Sequence, residues 1–259
     1  MSSKGGKKHE EVKSIKHILI TQPRPDSEKS PYFELAKKYN VQLEFCPFIK
    51  LEGIPAKDFR KEKISPLDFT AVIFTSRNAI DHYFRICEEM KIEVPSEMKY
   101  FCITEAVALY MQKYVQYRKR KISIGKQTTA DLIELLKKHK TEKFFYPCTD
   151  VYTDSIPVFL KDNGYDFSAA VIYKTVCSDL SDLAEVNYDM IVFFSPSGIK
   201  SLFKNFPDFK QNNTRLATFG PTTAKAVIDA GLTINIQAPT PAFPSMTMAI
   251  EDYVKRMNK

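Results

Sequence analysis

Short apolar runs rich in β-branched and aromatic residues recur along the chain, and each is followed by a segment whose apolar positions repeat at helical spacing. HILIT (17–21) precedes EKSPYFELAKKY (28–39), AVIFTS (71–76) precedes NAIDHYFRICEEM (78–90), and FFYPCT (144–149) precedes DSIPVFLKDNG (154–164). IVFFSP (191–196) before SGIKSLFKNF (197–206) and LATFG (216–220) before PTTAKAVIDAG (221–231) continue the series. Strand and helix in alternation predict an α/β chain built on parallel sheet with helices on its faces.

The series also repeats itself. IFTSRN (73–78) and FFSPSG (193–198) are both apolar strands that run into hydroxyl residues and then a helix. YFCITEAVALYM (100–111) answers LATFGPTTAKAV (216–227), and GKQTTADLIELLKKH from Gly125 answers PSMTMAIEDYVKRM from Pro244. One unit is displaced: residues 17–45 have their counterpart in 144–171, which closes the second copy instead of opening it. The displacement predicts that residues 16–46 join 177–259 in one discontinuous domain, with 53–168 inserted as a second domain. Residues 47–52 and 169–176 are then two crossings, and 1–15 a flexible lead. Two crossings predict a hinge, with a ligand cleft between the domains.

Composition narrows the function. No stretch of the 259 residues has the length and apolarity of a membrane span, and the opening MSSKGGKKHEEVKSIK has no apolar core for a signal peptide. Cys46, Cys87, Cys102, Cys148 and Cys177 are odd in number and lack any CxxC spacing, which predicts reduced thiols in the cytoplasm. His9, His17, His82 and His139 form no ligand pattern, so no metal is expected. The absence of GxGxxG and of GxxxxGK[ST] leaves nucleotide cofactors without a motif, and none is expected. A net charge of +7 suits an anionic partner. The densest basic run, Tyr117 to Lys121, lacks interleaved stacking aromatics and reads as a charged edge strand, so nucleic acid ranks last among the partners.

Ligands of open parallel sheets bind beyond the carboxyl ends of the strands, where helix starts offer unpaired N–H groups. Gly220 permits a tight turn, Pro221 suits a first helical position, and Thr222 and Thr223 follow with main-chain donors and hydroxyls. Ser195, Ser197 and Gly198 form a second such junction, and Thr75, Ser76, Arg77 and Asn78 a third. Helix capping by Ser and Thr accounts for the same hydroxyls, so binding and capping both stand as readings.

ILITQPRP, VIFTSRNAI, VIYKTV, VFFSPSGI and TFGPTTAKAVIDAGL, followed by APTPAFPSMTMAIEDYV, resemble the uroporphyrinogen-III synthase family in order from Lys16 onward. The resemblance implies two flavodoxin-like domains joined by a two-stranded antiparallel linker. It also implies an enzyme that closes hydroxymethylbilane, a linear tetrapyrrole fringed with carboxylates, with inversion of ring D and loss of water; a monomer is expected. Tyr173, in VIYKTV, matches the family's tyrosine and is implied as the catalytic group, against a reading in which it only packs at the crossing. The substrate-binding residues implied are Thr75, Ser76, Arg77, Asn78, Ser195, Ser197, Gly198, Thr222 and Thr223. The chain departs from the family pattern at Gln22, where Arg is common, and at Thr104-Glu105-Ala106-Val107, the glycine-free counterpart of GPTT. Glu105 would repel a carboxylate, so the second domain is expected to bind through Thr75 to Asn78. The competing expectation is a synthase-like module that binds anions or regulates without catalysis.

Overall fold

The computed structural model describes residues 14–151, 155–183 and 188–258. In chain order the regular elements begin β1 (His17–Ile20), α1 (Pro31–Tyr39), β2 (Gln42–Phe45), β3 (Ile49–Gly53) and α2 (Ala56–Phe59). Then come β4 (Ala71–Phe74), α3 (Arg77–Glu89), β5 (Lys99–Cys102), α4 (Glu105–Tyr110), β6 (Ile122–Ile124), α5 (Thr129–Leu136), β7 (Phe144–Thr149), α6 (Ser155–Asp162) and β8 (Phe167–Cys177). The chain ends with β9 (Met190–Phe193), α7 (Pro196–Asn205), β10 (Arg215–Phe219), α8 (Pro221–Asp229), β11 (Ile236–Ala238) and α9 (Met246–Met257).

These elements form two compact units, one of residues up to Lys50 with those from Val176 on, the other Leu51–Thr175. The first holds a five-stranded sheet in the order β11-β10-β9-β1-β2, parallel at every pairing. Its central strand β9 is buried on both faces, which is why Met190–Phe193 reads as an unbroken apolar run. Ile18, Ile20, Met190 and Val192 pack with Leu35, Ile250 and Val254, whereas Leu19, Ile191, Phe193 and Leu216 pack with Ile199, Leu202 and Val227. Helices α1 and α9 therefore cover one face, and α7 and α8 the other.

The second unit carries a six-stranded sheet in the order β3-β8-β7-β4-β5-β6, with β4 to β8 parallel. Val72, Phe74, Tyr100 and Phe145 meet Ile80, Tyr83 and Val107 on one side. Ala71, Ile73, Phe101 and Phe144 meet Leu132, Leu136, Ile156 and Leu160 on the other. Helix α3 shows why it seats there: Ala79, Ile80, Tyr83, Ile86 and Cys87 are its buried residues and follow the helical period on one stripe.

Two sequence expectations need correction. Ile15, assigned to the lead, is fully buried, and its N–H and C=O are held by the Asn258 side chain at 2.8 Å each; residues 1–13 of that lead lie outside the described residues. The basic run before β6 is a turn and not a strand. Lys121 N–H bonds back to Arg118 O at 2.8 Å, and strand pairing starts only at Ile122. The Lys121 ammonium is then engaged by Glu97 at 2.9 Å, so the run is partly neutralised. Among the described residues no helix is long and apolar enough to cross a membrane, and no cluster of His, Cys, Asp or Glu could hold a metal ion.

Candidate functional site

In the second unit the chain leaves β4 through Thr75 and Ser76, with Ser76 in extended backbone (φ −156°) as the N-cap of α3. Its Oγ accepts from Ala79 N–H at 3.1 Å, which satisfies one of the free donors of the helix start. The same Oγ lies 3.3 Å from the Tyr173 hydroxyl. Helix capping and the contact with Tyr173 are thus combined in one side chain.

Tyr173 reaches Ser76 because β8 is irregular. Cys148 pairs with Val171 but Thr149 pairs with Tyr173, so Ile172 is an extra residue against β7. A strand residue added in this way breaks the two-residue alternation of faces. Val171 faces the α5 and α6 side, whereas Ile172 and Tyr173 both belong to the core on the α3 side. Without the bulge Tyr173 would point away from Ser76. Here it is 6% exposed, and its ring stacks on His82 of α3 at 4.8 Å with the planes 14° apart. Burial pushes the phenol above its ordinary value of 10.0, against the lowering effect of the Ser76 hydrogen bond, so the hydroxyl keeps its proton at neutral pH.

His82 is itself fixed. Arg85 Nε donates to its Nδ1 at 3.2 Å, which makes Nδ1 the acceptor and leaves the ring proton on Nε2. Burial, followed by the Arg85 charge, holds its pKa below the ordinary 6.5, so the ring is neutral. Arg77 and Asn78, the first residues of α3, are exposed. The Arg77 guanidinium lies over the Tyr110 ring at 5.4 Å, and Tyr110 donates in turn to Asp81 at 2.9 Å. Burial alone would raise the Asp81 carboxyl, but donors from Tyr114, Lys113 and Tyr110 outweigh it and keep the group ionised.

In the first unit β9 and β10 are neighbouring parallel strands, so the helices that follow them start at the same end of the sheet, beyond the strands' carboxyl ends. Ser195 caps α7 by accepting from Gly198 N–H at 3.3 Å. Gly198 is buried, and a Cβ there would stand 3.3 Å from Phe193; this glycine lets α7 pack closely on its strand. Ser197 is half-buried. The start of α8 differs from that of α7. Gly220 stands at φ 87°, ψ 152°, a region nearly restricted to glycine, and provides no side-chain cap. Pro221 at the first position has no N–H to leave unpaired. Among the described residues no acceptor takes the N–H groups of Thr222 and Thr223. Thr222 is exposed, but Thr223 is 1% exposed and packs inward, so its side chain does not face solvent.

Tyr173 and Ser76 are the expected residues brought into hydrogen-bond contact from different elements. His82 and Arg85 were not singled out as site residues from the sequence. Their i,i+3 spacing on a helix was visible, but the strand that lays Tyr173 on them is distant in the chain.

The family model described as uroporphyrinogen-III synthase HemD matches residues 30–248. A uroporphyrinogen-III synthase of Saccharomyces cerevisiae is 32% identical over 120 residues, 40% of this chain and 43% of that protein, so the match spans less than half the length of the yeast relative. Among solved structures, a uroporphyrinogen-III synthetase from Helicobacter pylori aligns with a TM-score of 0.60 at 18% identity, covering 93% of this chain and 100% of that one. A mutant uroporphyrinogen III synthase from Thermus thermophilus aligns with a TM-score of 0.53 at 13% identity, covering 94% of this chain and 98% of its own. At these identities the two structures establish a shared α/β fold.

Proposed function

Because the chain belongs to the uroporphyrinogen-III synthase family, we propose that it closes hydroxymethylbilane to uroporphyrinogen III, with inversion of the last ring and loss of water. The substrate's electron-rich terminal pyrrole expels its own hydroxyl once that hydroxyl receives a proton or a strong hydrogen bond, and it becomes an azafulvene. The leaving hydroxyl departs as water. The azafulvene carbon then bonds to the substituted α-carbon of the last ring to give a spiro intermediate. The bond from that carbon to the neighbouring bridge breaks to leave a second azafulvene, which bonds to the ring's free α-carbon, and the proton on that carbon is lost. Head-to-tail closure needs no enzyme, so the protein's task is to hold the conformer that closes through the spiro intermediate.

Tyr173 is the proposed donor to the leaving hydroxyl. Either hydroxyl can donate in the Ser76–Tyr173 contact; in this reading Ser76 does, which leaves the phenol proton for the substrate, and burial keeps that proton in place at neutral pH. Thr222 and Thr223 would hold substrate carboxylates through their open N–H groups at the positive end of α8. Thr75, Ser76, Arg77 and Asn78 would serve the same end from the start of α3, with Arg77 as the exposed cation. Ser195, Ser197 and Gly198 would add the neighbouring α7 start, although Ser195 and Gly198 already bond to each other. We also read β3 and β8 as the two-stranded connection between discontinuous and inserted domains, in a monomer working in a reducing cytoplasm. Ile54 N–H bonding to Ile172 O and Ser178 N–H to Phe48 O give partners that run in opposite directions.

The observation that carries the reading is the bulge that turns a buried, protonated phenol onto the cap of α3. Freshly made hydroxymethylbilane incubated with the protein, followed by separation of the porphyrin isomers, should give the type III isomer. Tyr173→Phe should lower turnover about a hundredfold while the thermal midpoint changes little. Full activity in Tyr173→Phe would remove the phenol from the mechanism, and type I product alone from the unaltered chain would identify an inactive, synthase-like binding module.

A further inference from the structure

We propose that Arg85 is a positioning residue for Tyr173: it grips the bulged main chain at Ile172 with one nitrogen and the His82 ring that covers the phenol with another. The inference rests on Tyr173 being the proton donor described above.

Each guanidinium nitrogen has its own task. Nη2 donates to Ile54 O at 2.9 Å and to Ile172 O at 3.3 Å. Nε donates to His82 Nδ1 at 3.2 Å, and Nη1 meets Glu89 Oε1 at 2.5 Å. Glu89 is anchored independently, because its Oε2 accepts from Ala56 N–H at 3.0 Å. A planar fork with donors on three sides suits this task; a lysine ammonium has a single nitrogen and could not reach all of these acceptors.

The contacts converge on the irregular part of β8. Ile172 is the residue inserted against β7, and a bulge leaves such a residue's main chain outside the regular ladder. Its carbonyl is instead taken by Ile54 N–H at 2.9 Å and by Arg85. Because the bulge decides which face Tyr173 occupies, a group that holds Ile172 also holds the direction of the phenol. His82 completes the arrangement from the other side of the ring, lying flat on Tyr173 with its own rotation fixed by Arg85.

The strand beside Arg85 is shaped to admit it. A Cβ built at Gly53 would stand 2.7 Å from Arg85 Cζ and Nη2 and 2.8 Å from Nε. Glycine at 53 therefore allows the guanidinium to lie against β3. Gly53→Ala becomes a way to displace Arg85 without altering any functional group.

The test compares Arg85→Lys, His82→Phe and Gly53→Ala, each made with Tyr173 intact and with Tyr173→Phe. With Tyr173 intact, each should lower kcat about tenfold or more with KM little changed, since the reacting hydroxyl is misplaced while carboxylate binding is untouched. In the Tyr173→Phe background the same substitutions should have almost no further effect on kcat. Equal losses in both backgrounds, or losses carried by KM, would overturn the proposal in favour of a merely structural role. A second readout is independent of catalysis: tyrosine labelled with carbon-13 in its ring, the Tyr173 signal being the one missing from Tyr173→Phe. Arg85→Lys and Gly53→Ala should move that signal and bring its titration back toward an ordinary phenol, and an unmoved signal would overturn the positioning claim even if the enzyme proved inactive. Should Tyr173→Phe keep full turnover while the signal still moves, the assignment of the donor fails and the mechanical link stands.

Discussion

Two helix starts occupy equivalent places in the two units and are finished in opposite ways. After β5, Thr104 caps α4 by accepting from Val107 N–H at 3.3 Å, and Glu105 adds a carboxylate to the first turn. After β10, Gly220 offers no cap, Pro221 brings no N–H, and the donors of Thr222 and Thr223 meet no acceptor among the described residues. The first arrangement satisfies the helix from within and places negative charge at its positive end. The second leaves the same electrostatic potential for something from outside. A repeated architecture thus leaves one helix start uncapped and closes the other.

The contrast breaks most sharply at Gly220. Gly220→Ala places a side chain at φ 87°, which should cost about 1–3 kcal/mol of stability and shift the N–H groups that follow, raising KM about tenfold. Calorimetry with steady-state kinetics checks both parts, and an unchanged KM would detach α8 from substrate binding. A smaller effect separates the two threonines. Thr223→Ala removes a buried side chain and should lower stability by about 1 kcal/mol. Thr222→Ala removes an exposed hydroxyl but keeps the N–H, so it should alter the ratio of type III to type I product only slightly. A large change in that ratio for Thr222→Ala alone would assign binding to the hydroxyl instead of the main chain. Smallest in function is Thr104→Ala, which should cost about 1 kcal/mol on unfolding and leave KM and isomer ratio unchanged. Altered product specificity there would show that the two starts share a role.

The alternation of strand and helix was legible because central parallel strands are buried on both faces, and runs such as Ala71–Phe74 carry no polar position to obscure them. Helix beginnings were legible as well: Ser76, Ser195 and Gly220-Pro221 all stand where helices start. The bulge at Ile172 was not. Val171, Ile172 and Tyr173 are apolar in succession, so a shift of one residue there changes no visible period. The cluster of Arg85, Gly53 and His82 was hidden for a related reason, since its contacts join a helix to two strands whose registers are set by tertiary pairing. Thr223 shows the limit of composition. A hydroxyl residue beside a helix start reads as a ligand group, and only packing shows that its side chain turns inward.

The position of β1 has a consequence for how the chain is made. It lies inside its sheet between β2 and β9, and Ile15 just before it is clasped by Asn258. During synthesis the whole of Leu51–Thr175 emerges before β9 exists, so the amino-terminal strand must wait for a partner that is translated late. A chain cut short before β9 would leave an early-made apolar strand without its late partner, and loss there should show as aggregation of nascent protein more than as a gradual decline in activity.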